Sequence, residues 1–455
     1  MATIHIGRGS LIVENPPRSL LESLRRFRRN DSGEGEYEDL FTMSENGRNL
    51  VTMPGFANRA IRLSERSWAR IYDERVPMPK ADCAAAMRGL HECWSDVVCG
   101  ALKAEGGIVS IPDVLGDANM VAAILGAYPR DALVDRGTPI SIVSFRERDY
   151  AKRAMRTLRE ILPNRDIGLF VSGTYTDSDD VVVTTYASLK EAPCWQTGVF
   201  VACDLSSGEL QEWVEGISAL RNAARWGIYR TPLGGVIDVD IVAEGLFGPA
   251  CASASYADAV AGRFAAPVVV CWLRAPKIEL GSLPRDVLLA TAVQDEGFCR
   301  MASDIIRRTP GELGCICCAD NRALGERLAG MSGDDVVFVH RRTPAKVREA
   351  VVRDIASGTI RRAVCSELDM PQSNHGVEVL ATCRGDAAAL RIPGRPSRGP
   401  NDRSYVVTFC HDWDMHNGRP GYLARNDEAR QRRFQELGFR QMFFESVDQL
   451  PFLGG

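Results

Sequence analysis

The sequence predicts an α/β protein with two doubly wound parallel-sheet domains in tandem and a small N-terminal region. Three observations predict it. Short apolar runs, of the kind that form strands buried on both faces, alternate with amphipathic helical patterns. This alternation occurs in two consecutive series, and strand–helix alternation is the signature of parallel α/β sheets. The chain has 455 residues, a length that fits two or three domains at roughly 100–200 residues each.

The first series of strand-like runs is Gly107–Ile111, Ile140–Ser144, Ile167–Val171, Val181–Thr184, Val199–Ala202 and Val268–Trp272. The second is Cys315–Cys318, Val336–Val339, Ala363–Cys365, Val377–Leu380 and Tyr405–Phe409. Amphipathic stretches between them, such as Arg148–Ile161, Arg322–Ala329 and Ala345–Ala356, read as helices. The join falls between residues 275 and 300 and is placed at 280/281, giving lobes at 76–280 and 281–455. Residues 1–75 differ in texture: an alternating run from Ile4 to Val13, a basic helix from Leu20 to Arg29, and a Gly/Glu/Ser loop from Asp31 to Glu38.

Composition narrows the function. At 45% hydrophobic and 25% charged residues, the chain is neither disordered nor fibrous. A formal net charge of −4 excludes a globally basic nucleic-acid binder, so any such surface is a local patch. No apolar run approaches the ~18 residues of a membrane span, and the N-terminus lacks signal-peptide architecture. The expected location is therefore the cytoplasm, or the host cytoplasm or virion if the chain is phage-encoded. The 14 cysteines are scattered, and some, like Cys203 and Cys271, sit in apolar runs. That pattern fits buried, reduced thiols. Only six of the 55 basic residues are lysines: Lys80, Lys103, Lys152, Lys190, Lys277 and Lys346. Chemistry that needs a lysine at a fixed place is thus checkable position by position.

The segment GGIVSIPDVLGDANMVAAIL, 106–125, has the layout of a strand, a Gly/Pro loop and a helix start. That is where a phosphate-binding loop sits. Such a loop needs glycines, a Lys for the β/γ charge and a Ser or Thr for magnesium. Here Pro112 and Gly116 occupy the expected places, but the Lys position is Asp117 and the Ser/Thr position is Ala118. None of the six lysines follows a glycine. A carboxylate ~4 Å from a phosphate repels it by about 1–4 kcal/mol per charge pair, where a lysine would attract by as much.

An ordered set of segments resembles the superfamily 2 DNA helicases, in particular the phage and prokaryotic DEXH type. The resemblance runs over about residues 100–440. After 106–120 come SIVSFRERDYAKRAMRTL (141–158), then DDVVVTTYASLK (179–190), which is similar to the family's V-x-T-Y-x-S-L segment. GVFVACDLSSGE (198–209) lies where the strand ending in Asp-Glu-x-His belongs, and RWGIYRTP (225–232) parallels R-x-G-L-T-A-T-P. RRTPAKVREAVVRDIASGTIRRAVCSELD (341–369), RIPGRPSR (391–398) and YLARNDEARQRRFQELGF (422–439) resemble second-domain elements. The resemblance implies two RecA-like lobes and a nucleic-acid partner, duplex or branched DNA.

The departures cluster on the nucleotide. Asp204 is kept on the magnesium side, but the water-activating Glu is Leu205 and the His is Ser207. Glu209 is the one substitute in reach. Thr-Ala-Thr becomes Tyr229-Arg230-Thr231, while Gly394, Arg395 and Arg398 survive in the sixth motif. Arg395 and Arg398 would be arginine fingers in an active member. Phosphoryl transfer rests on positioning and charge stabilisation, so losing several parts together argues against hydrolysis.

The DNA side is better kept. Thr184, Thr185, Tyr186 and Ser188 follow a buried strand, where hydroxyls and amides bind phosphate; a plain Ser/Thr-rich turn is the alternative. Arg148 and Lys152 lie with Arg153, Arg156 and Arg159 on a helix at spacings that share a face; the alternative is a solvated charged surface. Arg341, Arg342 and Thr343 follow a second-domain strand and resemble that domain's backbone contact. Arg25, Arg26, Arg28 and Arg29 form the densest basic cluster. No metal is expected. Cys315, Cys317 and Cys318 alternate faces of a strand, and His411, Asp412, Asp414 and His416 lack a second ligand pair.

Three functional readings stand. The leading one is a helicase-like DNA-binding scaffold or accessory factor that has lost ATP hydrolysis and takes no cofactor. The second is a divergent but active helicase using ATP and Mg. The third is a structural or interaction component of a viral particle or replication complex. Protein partners are expected under all three, and a membrane under none.

Overall fold

The computed structural model describes the chain apart from residues 1, 8–9, 30–34, 65–68, 76, 89, 91–93, 113–115, 136, 138, 173, 177, 190, 192–196, 204, 206–213, 215, 218–219, 221–222, 230–236, 279–290, 292–293, 341, 367–376, 384–401, 417–418 and 454–455. The described chain forms two compact units, one ending at Ala254 and one running from Ser255 onward.

The first unit carries an 8-stranded sheet. Its order is Thr174–Thr176, Ile167–Val171, Val181–Thr185, Ile140–Phe145, Thr197–Ala202, Ala224–Tyr229, Gly107–Ser110, Ala250–Ser253. All neighbours are parallel except the first pair. Val181–Thr185 and Thr197–Ala202 are buried along their whole length, which is why both read as continuous apolar runs rather than alternating ones. Helices cover the faces. In Arg148–Ile161 the buried residues are Ala151, Ala154 and Leu158, the 3–4 spacing of a helix with one face on a core. Asp117–Ala127 is buried on nearly every side, because it packs among the helices Cys83–Ala86, Ser95–Lys103 and Arg148–Ile161. A buried ion pair clamps its end. Arg165 grips Asp180 with two hydrogen bonds at 2.6 and 2.7 Å and also donates to Leu125 O and Tyr128 O.

The second unit carries a 7-stranded, wholly parallel sheet. Its order is Val337–His340, Arg362–Ser366, Cys315–Ala319, Val379–Thr382, Ser404–Cys410, Val268–Arg274, Arg440–Phe444. Side chains alternate between two cores: Cys315, Cys317, Val364 and Ala381 face one, and Ile316, Cys318, Ala363 and Leu380 the other. Together the two units give the tandem doubly wound parallel-sheet architecture that the alternation implied.

Three elements differ from the sequence reading. Val268–Arg274, assigned above to the lobe at 76–280, lies in the second sheet between Ser404–Cys410 and Arg440–Phe444. An apolar run does not say which sheet it joins. The basic helix ends early: only Arg18–Ser23 is helical, and Arg25–Arg29 is a strand. Its partner is Gly35–Asp39, which overlaps the Asp31–Glu38 stretch read as a loop. The register sets Arg25 opposite Asp39, Arg26 opposite Glu38 and Arg28 opposite Glu36, and Arg25 Nε donates to Asp39 at 2.9 Å. Opposite charges directly across an antiparallel pair favour the ribbon, whereas a helix would crowd the guanidinium groups on adjacent turns.

The N-terminal region forms its own 5-stranded sheet, Phe41–Met43, Asn49–Thr52, Leu11–Glu14, Thr3–Ile6, Arg70–Asp73, within the first unit. It docks through Pro54–Phe56 on the helix Ile237–Phe247. Arg59 pairs there with Glu244, and a Cβ on Gly55 would fall on the Glu244 carbonyl. Gly55→Ala is expected to cost about 2–3 kcal/mol, the scale of forced overpacking. Urea unfolding of the full chain checks it; an unchanged midpoint would refute the close packing.

Candidate functional site

A parallel sheet brings the carboxyl ends of all its strands to one edge, and open α/β folds place their sites there. In the first unit this edge collects Pro112 and Gly116–Ala118 after Gly107–Ser110, Arg148 after Ile140–Phe145, and Ser188 after Val181–Thr185. In the second unit it collects Arg342 and Thr343 after Val337–His340. Asp204, Arg341, Arg395 and Arg398, with Glu209 and Gly394, lie outside the described residues.

The loop after the first strand is anchored where it starts: Ile111 N–H donates to Tyr229 O at 2.8 Å. Pro112 is buried. Gly116 takes φ +71°, a left-handed value that glycine adopts without strain. The helix begins at Asp117, and Asn119 N–H closes the turn onto Gly116 O at 3.3 Å. Asp117 is 2% exposed, so this carboxylate is enclosed at the start of an 11-residue helix. Ala118 beside it is half-buried.

The Thr184–Ser188 group is spent on internal bonds. All four side chains are buried. Thr185 Oγ1 donates to Ser188 Oγ at 3.0 Å and accepts from Ser188 N–H at 3.3 Å. Ser188 Oγ in turn accepts from Ser172 N–H at 3.1 Å. Tyr186 O–H donates to Cys203 O at 2.6 Å. This bond ties the end of the Thr197–Ala202 strand, immediately before Asp204, to the neighbouring turn. The sequence reading had assigned these hydroxyls to phosphate contact and did not find the tie, because a hydroxyl's partner cannot be read from spacing.

The cations lie nearer the surface. Arg148 is exposed and Lys152 half-buried on the helix Arg148–Ile161, and Arg153 stacks over Tyr150. Arg159, further along, donates to Ile167 O. In the second unit Arg342 is exposed. Its N–H donates to His340 Nδ1 at 3.1 Å, and Thr343 Oγ1 accepts from His340 N–H at 3.1 Å. His340, unremarked in the sequence, thus shapes the turn that presents the Arg342 guanidinium.

The residues set aside as metal ligands have other occupations. Cys317 Sγ lies 3.5 Å from Cys383 Sγ, buried within the strand core. Burial pushes the Cys315 thiol up to about 12. His411 Nδ1 meets Asp427 at 3.0 Å, and Asp427 also binds Arg430, all three buried. Asp414 accepts from Leu423 N–H at 2.7 Å, capping the helix Tyr422–Glu436, whose own N-cap Gly421 has no side chain to do so. Asp412 pairs with Arg274, which holds its carboxyl below the usual range. Among the described residues no group of three His, Cys, Asp or Glu is set to hold a metal ion, and no helix there is long and apolar enough to cross a membrane.

No protein-family profile and no curated protein sequence matches the chain. Solved structures do. The DUF1998 helicase MrfA bound to DNA aligns with 79% of this chain and 55% of its own, at 14% identity and a TM-score of 0.55. Dbp5 of S. cerevisiae bound to RNA and ADP BeF3 aligns with 79% of this chain and 95% of its own, at 11% identity and a TM-score of 0.53. T4 UvsW aligns with 98% of this chain and 99% of its own, at 13% identity and a TM-score of 0.41. In fold, the chain is similar to MrfA and Dbp5.

Two outcomes follow from this geometry. Thr185→Val removes the two bonds between Thr185 and Ser188 and is expected to cost about 1–3 kcal/mol, the penalty for a buried group left unpaired. Chemical denaturation measures it, and a neutral substitution would contradict the network. A thiol raised to about 12 is ionised in roughly one molecule in ten thousand at pH 8, and the thiolate is the reactive form. Cys315 is therefore expected to resist thiol reagents in the folded chain and react on unfolding, as peptide mapping of labelled protein would show.

Proposed function

We propose that the chain is a helicase-like protein that binds DNA through the carboxyl edges of its two sheets and does not hydrolyse ATP, acting as an accessory or scaffold factor. The observation that carries this reading is the buried Asp117 at the first position of the helix Asp117–Ala127. A helix N-terminus with a preceding glycine loop attracts anions, and a phosphate site there needs added positive charge. Here the chain supplies a carboxylate, which itself interacts favourably with the N-terminal end of a helix. Ala118 has no hydroxyl to offer magnesium. The donor set does not fit a magnesium–triphosphate complex.

Nucleic-acid binding rests on fold and charge. MrfA and Dbp5 are described bound to DNA and to RNA, and this chain shares their fold. Its exposed Arg342 and Arg148 lie at sheet edges where such a partner would run, and arginine suits phosphate by its fork of donors. Because the Thr184–Ser188 hydroxyls are internally bonded, their segment offers the phosphate backbone chiefly its position and shape.

The test pairs two assays on the full chain. With Mg and ATP, hydrolysis is expected to stay at background with or without single- or double-stranded DNA. DNA-stimulated turnover abolished by Asp204→Ala would overturn the inactive reading. In the second assay, duplex and branched DNA are titrated across salt concentrations. Changing Arg341 and Arg342 to Ala is expected to lower the salt slope by about 1–2, as phosphate contacts are lost. DNA binding that is absent, or unchanged by this pair and by Arg148→Ala with Lys152→Ala, would overturn the nucleic-acid reading.

A further inference from the structure

A cavity of about 360 Å3 opens in the first unit, at the edge of the sheet opposite the nucleotide-type loop. It is lined at Glu105–Gly106, just before the strand Gly107–Ser110, at Ala223–Arg225, where the strand Ala224–Tyr229 begins, and at Gly248. Asp73 and Arg75, next to the N-terminal sheet, form another wall. The loop at 112–116 follows the far end of the same Gly107–Ser110 strand, so the two places are separated by roughly 13 Å of strand at ~3.3 Å per residue. They are different sites.

The charges in this cavity are unequally answered. Asp73 and Arg75 hold each other through two hydrogen bonds at 2.9 and 2.7 Å. Glu105 also acts on Arg75. Arg225 has no such partner. It is 7% exposed, and its guanidinium donates only to neutral carbonyls, Leu220 O at 2.6 Å and Leu246 O at 3.4 Å. Among the described residues no carboxylate pairs with it. Burial without a counter-ion lowers its pKa to about 10. A buried cation is costly unless paired, and cavities with a few convergent polar groups are where small ligands bind. Glycine keeps the wall close: Gly106 stands at φ +145°, and a Cβ there would meet Arg225 O at 3.0 Å.

We propose that this cavity binds the oxyanion of a small polar molecule, a carboxylate or phosphate monoester, with Arg225 as its counter-ion. The ligand would sit between the N-terminal sheet and the first parallel sheet and strengthen their docking. Glu105, on the same rim, opposes the anion and limits its affinity.

The 455-residue chain is titrated calorimetrically with inorganic phosphate, AMP and citrate as probes, each to about 10 mM, which saturates any site tighter than about 1 mM. At least one probe is expected to bind one-to-one and raise the thermal midpoint. Arg225→Gln is expected to weaken it by about tenfold or more, the scale of a lost charge-assisted bond. Glu105→Gln is expected to tighten it severalfold, which a merely structural cavity would not do. If Arg225→Gln fails to fold, Asn58→Trp on the exposed lining helix Ala57–Ser64 obstructs the cavity and is expected to abolish binding. The proposal falls if no probe binds, or if binding persists in Asn58→Trp or is unmoved by Glu105→Gln.

Discussion

The parallel alignment of the strands is the constraint on which the rest depends. Parallel neighbours need a crossover between every pair, and right-handed crossovers put helices on both faces. The strands are then buried on both sides, so they must be apolar throughout. The same alignment sends every carboxyl end to one edge. Positions far apart in sequence, such as Pro112, Arg148 and Ser188, thereby become neighbours along a single rim. The buried helix Asp117–Ala127 follows from this arrangement, because a helix enclosed by other helices as well as the sheet can afford no polar face.

Polar groups inside this frame act as fasteners. Arg165 and Asp180 join a loop, a strand and the end of the Asp117–Ala127 helix. In the second unit Asp427 gathers His411 and Arg430, and Arg430 reaches Thr408 and stacks over Trp272. Removing one partner of such a buried pair typically costs about 3–5 kcal/mol, since the other charge is left unanswered. The Thr184–Ser188 turn belongs to the same class. A segment whose residue pattern suggests recognition of phosphate is, in its side chains, a bracket that holds the strand end before Asp204. The two roles are compatible, because an edge that meets a partner must first be rigid. Arg225 is the exception among these buried charges: among the described residues it is met by the carbonyls of Leu220 and Leu246.

Much of the fold was legible in the sequence. The apolar runs from Gly107 to Phe409 are strands with bounds close to those expected, and Arg148–Ile161 and Ala345–Ala356 are helices as their spacing required. Legibility failed where charge or pairing ruled. Arg25–Arg29 has no apolar period, and its strand exists because Gly35–Asp39 lies opposite with the complementary charges. The short strands Ala250–Ser253 and Arg440–Phe444 sit at sheet edges, where burial is partial and the apolar signal weak.

The sequence by itself determined the two-sheet architecture and the chemical character of the Pro112–Ala118 segment, because burial on two faces and the carboxylate of Asp117 are written in residue types. Tertiary structure decided what those residues do. It enclosed Asp117, assigned Val268–Arg274 to the second sheet, turned Thr185, Tyr186 and Ser188 inward, and left Arg225 lining a cavity with no carboxylate paired to it among the described residues. Each of these depends on which distant segment lies within hydrogen-bonding range, and only the packed sheets fix that.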